Sequence, residues 1–199
     1  MEKKIDTILA SASPRRLELL NLLNIYPEVM IPEIDEIPLE GEFPENFVSR
    51  IAYEKGRSIA DRINSEILVI SADTIVLINN MIIGKPSGRE DAFKMLKLLS
   101  GKEHKVITGI SLIYRGDKRI ENSVTEVKFS ELSDIEIDYY LDSERFLDKA
   151  GAYAIQGNAS IFVERINGCY FNVMGFPLNL FYSLIKRLKI SLNDLSGRP

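Results

Sequence analysis

Ile67-Leu68-Val69-Ile70-Ser71-Ala72-Asp73-Thr74-Ile75-Val76-Leu77-Ile78 is the stretch on which the fold turns. Its β-branched and aliphatic residues predict a strand, broken only over Ser71-Ala72-Asp73-Thr74. Asn79-Asn80 then predicts a two-residue turn into Met81-Ile82-Ile83, because asparagine tolerates the left-handed backbone such turns require. A turn that short joins only antiparallel strands. Working toward the N-terminus, a helix is expected over about 44–64 and a loop or edge strand over 28–43. Before them come a helix from Pro14 to about Leu23, with Ser13 as N-cap, and a strand at Thr7–Ala10. Working toward the C-terminus, a helix over about 90–99 stops at Gly101, and strands follow over 105–114 and 119–129. A short helix near 134–142 precedes a further hairpin, with Ile161–Arg165 and Tyr170–Met174 joined at Asn167-Gly168. A last helix over 178–189 leads to a polar tail expected to fray. Strands and helices interleave while hairpins are present, so the expected class is α/β with a mixed sheet.

A chain of 199 residues suggests one domain, or at most two small ones. Lys plus Arg number 25 against 29 Asp plus Glu, a formal charge of −4, and the pI is near 5.2. This balance argues against a broad nucleic-acid-binding face, yet allows a small cationic pocket for an anion. The single cysteine, Cys169, excludes an intrachain disulfide framework and any CxxC site. The single histidine, His104, excludes HExxH and every multi-histidine metal site, so any metal must be held mostly by oxygen, which favours Mg²⁺ or Mn²⁺. His104 has no serine or cysteine motif beside it and is read as a surface or structural residue. No apolar run reaches the roughly 18 residues of a membrane span, and Met1-Glu2-Lys3-Lys4-Ile5-Asp6 does not read as a signal peptide. No membrane partner and a reducing, cytoplasmic setting are therefore expected.

Three places conflict with their own neighbourhoods. Arg15 and Arg16 follow Ser11-Ala12-Ser13-Pro14 in the first turn of a helix, where the dipole favours anions. Either they turn to water and to acids such as Glu18, or an anion is held there by free amides, Ser11, Ser13 and the two guanidinium groups. Asp73 interrupts an apolar run. It is either a strand-end residue satisfied by backbone N–H groups or a general base or metal ligand. Lys55 falls at about 80° on a helical wheel whose apolar stripe spans Phe47, Ile51, Ile59, Ala52 and Ile63, from about 0° to 160°. It either snorkels outward or serves a buried carboxylate or phosphate. Lys85 in Gly84-Lys85-Pro86 lacks a P-loop around it, and no GxGxxG occurs. The acids Glu33, Asp35 and Glu36 read as a solvated loop or as a carboxylate source for a metal. Cations for several phosphates together with carboxylates for a hard metal and a base suit hydrolysis of a polyphosphate.

These residues resemble a known family. Leu9-Ala10-Ser11-Ala12-Ser13-Pro14-Arg15-Arg16 with Glu18-Leu19-Leu20 is similar to the opening motif of the Maf nucleoside triphosphate pyrophosphatases. The likeness continues, in the family's order, through Ile34-Asp35-Glu36, Glu54-Lys55, Ser71–Val76, Gly84-Lys85-Pro86, Thr108-Gly109, Asp148–Gly157, Gly168 and Gly175-Phe176-Pro177-Leu178.

The resemblance implies a Maf/ITPase-like fold: a twisted mixed sheet flanked by helices, with a substrate cleft between two lobes. It implies one domain over residues 1–189 with a tail over 190–199. It also implies a divalent cation, Mg²⁺ or Mn²⁺, and conversion of a nucleoside triphosphate and water to the monophosphate and pyrophosphate. On that basis Asp73 is the general base, Glu36 and Asp73 are the metal-side carboxylates, and Ser11, Ser13, Arg16, Lys55 and Lys85 hold phosphates. The choice of Glu36 over Glu33 and Asp35 rests on alignment alone. Arg15, Thr74 and Gln156 match the branch acting on dTTP and UTP. A glutamine amide offers one donor and one acceptor to a pyrimidine edge. The branch also takes modified pyrimidine nucleotides, a house-cleaning role, and family members are linked to arrest of cell division and septum formation. A non-catalytic nucleotide-binding regulator and a 7-methyl-GTP pyrophosphatase are the alternatives. Dimers occur in folds of this kind, which leaves a homodimer open. Gly56 stands where the family often has alanine, a change expected to weaken the helix by up to about 1 kcal/mol without touching the chemistry.

Overall fold

The computed structural model describes residues 4–195. Residues 1–3 of the segment read as no signal peptide, and residues 196–199 of the polar tail, lie outside the described residues. In chain order the elements are β1 (Thr7–Ala10), α1 (Pro14–Asn21), β2 (Glu28–Met30), α2 (Pro44–Ala60), β3 (Leu68–Ile78) and β4 (Met81–Ile83). Next come α3 (Arg89–Leu99), β5 (Glu103–Tyr114), β6 (Asp117–Phe129), α4 (Asp134–Ser143) and 3-10 turns at Ala150–Ala152 and Asn158–Phe162. The chain ends with β7 (Val163–Asn167), α5 (Tyr170–Val173), α6 (Leu178–Arg187) and α7 (Leu192–Leu195).

Among the described residues the strands form a seven-stranded sheet in the order β2-β1-β3-β5-β6-β7, with β4 pairing β3. The sheet is mixed, as expected. β1 runs parallel to β2 and β3, whereas β4 is antiparallel to β3 and β7 to β6. Asn79 and Asn80 have φ of 50° and 62°, and Arg115 and Gly116 have φ of 52° and 81°. Both pairs supply the left-handed twist that a two-residue hairpin demands.

The chain forms two compact units. The first takes the chain up to Asp73, Thr108–Ser123 and the chain from Gly175 onward; the second takes Thr74–Ile107 and Val124–Met174. In the first, Ile8, Ala10, Ile59 and Val69 form a buried cluster against Met30, Ile63 and Ile113. In the second, α3 lays Ala92, Leu96 and Leu99 onto Val76, Val106, Val127 and Phe129. α4 adds Ile137, Tyr140 and Leu141, and starts in a capping box in which Ser133 and Glu136 satisfy each other's backbone N–H groups.

Three sequence expectations change. β3 runs unbroken through Ser71–Thr74, because flanking strands β1 and β5 satisfy its backbone whatever its side chains prefer. The hairpin expected at Asn167-Gly168 does not form. β7 pairs β6, and residues 170–173 make a helical turn. The reason is Asn172, fully buried, whose amide donates to the Val106 carbonyl and to Thr125 Oγ1 at 2.9 Å each. Thr125 Oγ1 also accepts from the Cys169 N–H and donates to the Cys169 carbonyl, so the segment is anchored through side chains rather than a strand ladder. Residues 190–195 do not fray. Ile190 and Leu195 are buried, and the Ile5 N–H donates to the Asp194 carbonyl at 2.8 Å.

Candidate active site

The centre of the site follows from strand alternation. Ser71 and Asp73 are two apart on β3 and share a face. Ser71 is fully buried and its Oγ donates to the Ala52 carbonyl of α2 at 2.7 Å, so that face looks onto α2. Asp73 therefore meets the next turn of the same helix. Lys55 Nζ donates to Asp73 Oδ1 at 2.7 Å and lies 2.7 Å from Glu36 Oε1. Asp73 is 5% exposed and Lys55 8%, whereas the Glu36 side chain is 43% exposed. Lys55 thus lies inside the apolar stripe of α2, beside buried Phe47, Ile51, Ala52 and Ile59, and serves carboxylates rather than snorkelling outward. Of the acids Glu33, Asp35 and Glu36, it is Glu36 whose carboxylate reaches Lys55.

Glycine sets how near α2 comes. A Cβ on Gly56 would lie 2.6 Å from Ser71 Oγ, and one on Gly109 of β5 would lie 2.4 Å from the Val48 carbonyl oxygen. The helix is seated on the sheet at these two points. Gly56 thus brings α2 against the Ser71 hydroxyl next to Lys55, and the departure from alanine costs less than its helix propensity suggests.

The start of α1 is built differently from expectation. Ser13 is the N-cap with extended backbone, but its side chain makes no cap bond. Ser11 Oγ instead accepts from the Ser13 N–H at 3.2 Å and from Arg16 Nη1 at 3.0 Å. Arg16 is buried. Its Nη1 also donates to the Ala72 carbonyl at 2.8 Å, and its Nε donates to the Gly175 carbonyl at 3.0 Å. Three of its N–H groups therefore bind protein, tying the end of β1, the peptide before Asp73 and the 175 turn together. Burial pushes the Arg16 pKa below the ordinary arginine value, an effect opposed by the Asp73 carboxylate. Arg15 beside it is half-buried. No acid occupies the first turn of α1, so the helix dipole there favours an anion.

The remaining expected residues belong to the second unit. Thr74 follows Asp73 on β3 and is directed to the opposite face. Lys85 is exposed just past β4, where the Gly84 carbonyl accepts from the Gly151 N–H at 3.0 Å. Gln156 is exposed between buried Ile155 and Gly157, whose φ is 81°. Glu144 Oε1 accepts from the Asn158 N–H at 3.1 Å and fixes this turn. Upstream, Tyr153 Oη and His104 Nε2 are 2.7 Å apart in a buried aromatic group with Phe129.

A family model described as Maf-like protein matches residues 6–188. The chain belongs to the Maf-like protein family. A dTTP/UTP pyrophosphatase of Clostridioides difficile (strain 630) is 48% identical over 195 residues, covering 97% of this chain and 100% of that relative. A dTTP/UTP pyrophosphatase of Syntrophomonas wolfei is 45% identical over 181 residues, covering 90% and 95%. Among solved structures, the Staphylococcus aureus Ham1 protein aligns with a TM-score of 0.50 at 14% identity, over 92% of this chain and 99% of that one. That likeness concerns the fold alone.

In this Maf-like protein the donor set suits a hard cation. Glu36 and Asp73 offer only oxygen, and with Lys55 between them the trio carries one net negative charge. Among the described residues no group of three His, Cys, Asp or Glu side chains forms an all-protein cage. Magnesium-type ions fit such a place, since they take one or two carboxylates and complete their shell with phosphate and water oxygens. The sequence reading quoted Ser71 and Gly109 only as motif residues, without their contacts to α2, and missed Arg50 altogether. Arg50 carried a signal in its spacing of four from Glu54, but its main partner, Glu42, lies on a preceding loop with no periodic relation to it.

No helix among the described residues is long and apolar enough to cross a membrane.

Proposed function

We propose that this Maf-like protein is a cytoplasmic, metal-dependent nucleoside triphosphate pyrophosphatase. It hydrolyses dTTP and UTP, and modified pyrimidine nucleotides, to the monophosphate and pyrophosphate. The observation that carries this reading is the buried Asp73 carboxylate held at 2.7 Å by Lys55, which also reaches Glu36. Pure nucleotide binding needs phosphate donors but no buried, oriented carboxylate. The names of relatives 42–48% identical to the chain support the substrate class.

A water oxygen bonds to the α-phosphorus while the bond from that phosphorus to the bridging oxygen of the β-phosphate breaks. The electron pair leaves with pyrophosphate. Asp73 takes the proton of the attacking water, and Lys55 holds its carboxylate in place at 2.7 Å. Glu36 and Asp73 would hold the divalent cation, which supplies charge neutralisation to the phosphates. Ser11, Ser13, Lys85 and the N-terminal end of α1 bind phosphate oxygens. Arg16 adds its charge there while its bonds to Ala72 and Gly175 keep the surroundings rigid. Arg15, Thr74 and Gln156 select the pyrimidine.

The test incubates purified protein with Mg²⁺ or Mn²⁺ and a panel of nucleoside triphosphates, and assays pyrophosphate and monophosphate. Pyrophosphate from dTTP and UTP, little from purines and none with EDTA is the expected result. Turnover of 7-methyl-GTP alone would overturn the pyrimidine assignment. Nucleotide binding without turnover would overturn the enzyme.

A further inference from the structure

The segment between β2 and α2 delivers Glu36 to Lys55, yet it has no regular structure and little apolar anchorage. Ile31, Ile37 and Leu39 are exposed by 60% or more. What holds it is polar. Glu42 folds the segment back on itself: its N–H donates to the Leu39 carbonyl, and its Oε2 accepts from the Leu39 N–H, both at 3.1 Å. Arg50, on α2, then grips the folded segment. Its Nε donates to Glu42 Oε1 and its Nη2 to Glu42 Oε2, both at 2.7 Å, in a two-pronged ion pair. The same Nη2 donates to the Ile37 carbonyl at 3.0 Å, the residue immediately after Glu36. Nη1 is turned along the helix to Glu54 at 3.2 Å. Arg50 and Lys55 stand five residues apart on one helix. One holds the backbone beside Glu36 and the other holds its carboxylate.

We propose that Arg50 and Glu42 form a strap that positions Glu36 against Lys55, making Arg50 a positioning residue for the metal-side carboxylate. The proposal rests on the functional reading above for its consequence in turnover, but not for the strap itself. Arginine is required, because a lysine keeps the charge but cannot grip both Glu42 oxygens and the Ile37 carbonyl at once. Residues that orient a metal ligand from outside typically change metal affinity or activity by about 10–100-fold when altered. Arg50→Lys should therefore raise the Mn²⁺ concentration for half-maximal activity by about tenfold or more. The effect should be absent when Glu36 is already Glu36→Gln, since a strap that acts through Glu36 has nothing left to position.

Two measurements on the full chain test this. The first is amide hydrogen exchange in nucleotide-free, metal-free protein, comparing wild type, Arg50→Lys and Glu42→Gln. Faster exchange confined to residues 36–42 in both variants, with α2 still protected, is expected. Unchanged protection over 36–42 overturns the strap, and this holds even if the wild type hydrolyses no nucleotide, an outcome that would sink the functional reading instead. The second is the Mn²⁺ dependence of turnover for Arg50→Lys, Glu36→Gln and the double variant. Equal activity of Glu36→Gln and the double variant supports positioning through Glu36. Independent, multiplying losses overturn it and leave Arg50 a structural residue only. If Arg50→Lys fails to fold, Glu42→Gln carries both measurements, because it weakens the same ion pair while keeping the side-chain shape.

Discussion

Lowering the pH from about 7 to about 5 should destabilise this protein through a single side chain, His104. The ring is 2% exposed, packed edge-on against Phe129 at 5.0 Å and against Tyr153 at 5.5 Å between centroids. Its Nε2 bonds Tyr153 Oη at 2.7 Å, and its Nδ1 is buried with no hydrogen-bond partner. A protonated imidazole would need both nitrogens to donate, and no carboxylate is paired with it. Burial accordingly pulls its pKa from 6.5 down to about 4. As the pH falls through 6.5 the unfolded chain takes the proton and the folded one does not. Stability is therefore full above about pH 6.5, declines as pH falls, and levels off below about pH 4. At about 1.36 kcal/mol per pKa unit the whole effect is about 3 kcal/mol, of which about 2 kcal/mol is lost between about pH 7 and pH 5. The carboxylates held below their ordinary values, Glu42, Glu90, Glu136 and Asp194, weaken the fold mainly below about pH 5, so the histidine dominates this window. The assay is urea unfolding followed by far-UV circular dichroism, since the chain has no tryptophan. His104→Gln can still bond Tyr153 but cannot titrate. A wild type with no loss over this range, or a His104→Gln protein with the same loss, would refute the reasoning.

Three further outcomes are expected. Asp73→Asn keeps the fold, since Lys55 retains Glu36, and lowers kcat by about 10²–10⁴-fold. Steady-state kinetics beside a circular dichroism spectrum check this, and near-normal turnover would remove Asp73 from the mechanism. Gln156→Ala lowers the kcat/KM preference for dTTP and UTP over other nucleotides by about tenfold or more, with a smaller change in overall rate; equal loss on every nucleotide would contradict the role. Gly56→Ala destabilises by about 1–3 kcal/mol although alanine is the better helix former, because its Cβ meets Ser71 Oγ. Thermal unfolding of Gly56→Ala with Ser71→Ala should show that loss substantially recovered.

Much of the framework was legible in residue order because its causes are local. Alternation and β-branched residues marked β1 and β3, and Asn79-Asn80 marked the turn into β4. The Ser13-Pro14 pair marked the start of α1, and Gly101 the stop of α3. Lys55 could be placed on the buried stripe of α2 by angle alone. The hairpin expected at residues 167–168 failed because Asn-Gly is a turn signal with no knowledge of Asn172, whose buried amide is held by Val106 and Thr125 far upstream. The frayed tail failed for the same kind of reason. Polar composition over 190–195 did not reveal that Ile190 and Leu195 would find a core, or that the Ile5 amide would pair with Asp194.

For the site, residue order alone named the cast: a carboxylate at 73 in an apolar run, a lysine inside an apolar stripe, serines and arginines at a helix start, and an acidic loop. It did so because a charge in apolar surroundings is costly and needs a reason visible from its neighbours alone. The pairings came from the folded chain. It chose Glu36 over Glu33 and Asp35 as the partner of Lys55, turned Arg16 inward onto Ala72 and Gly175, and gave Gly56 its purpose against Ser71. It also joined Arg50 to Glu42 and the Ile37 carbonyl. Hydrogen bonds and ion pairs act over about 3 Å, while the bonded residues just named lie from 8 to 159 positions apart, and no periodicity in a linear chain encodes that closeness.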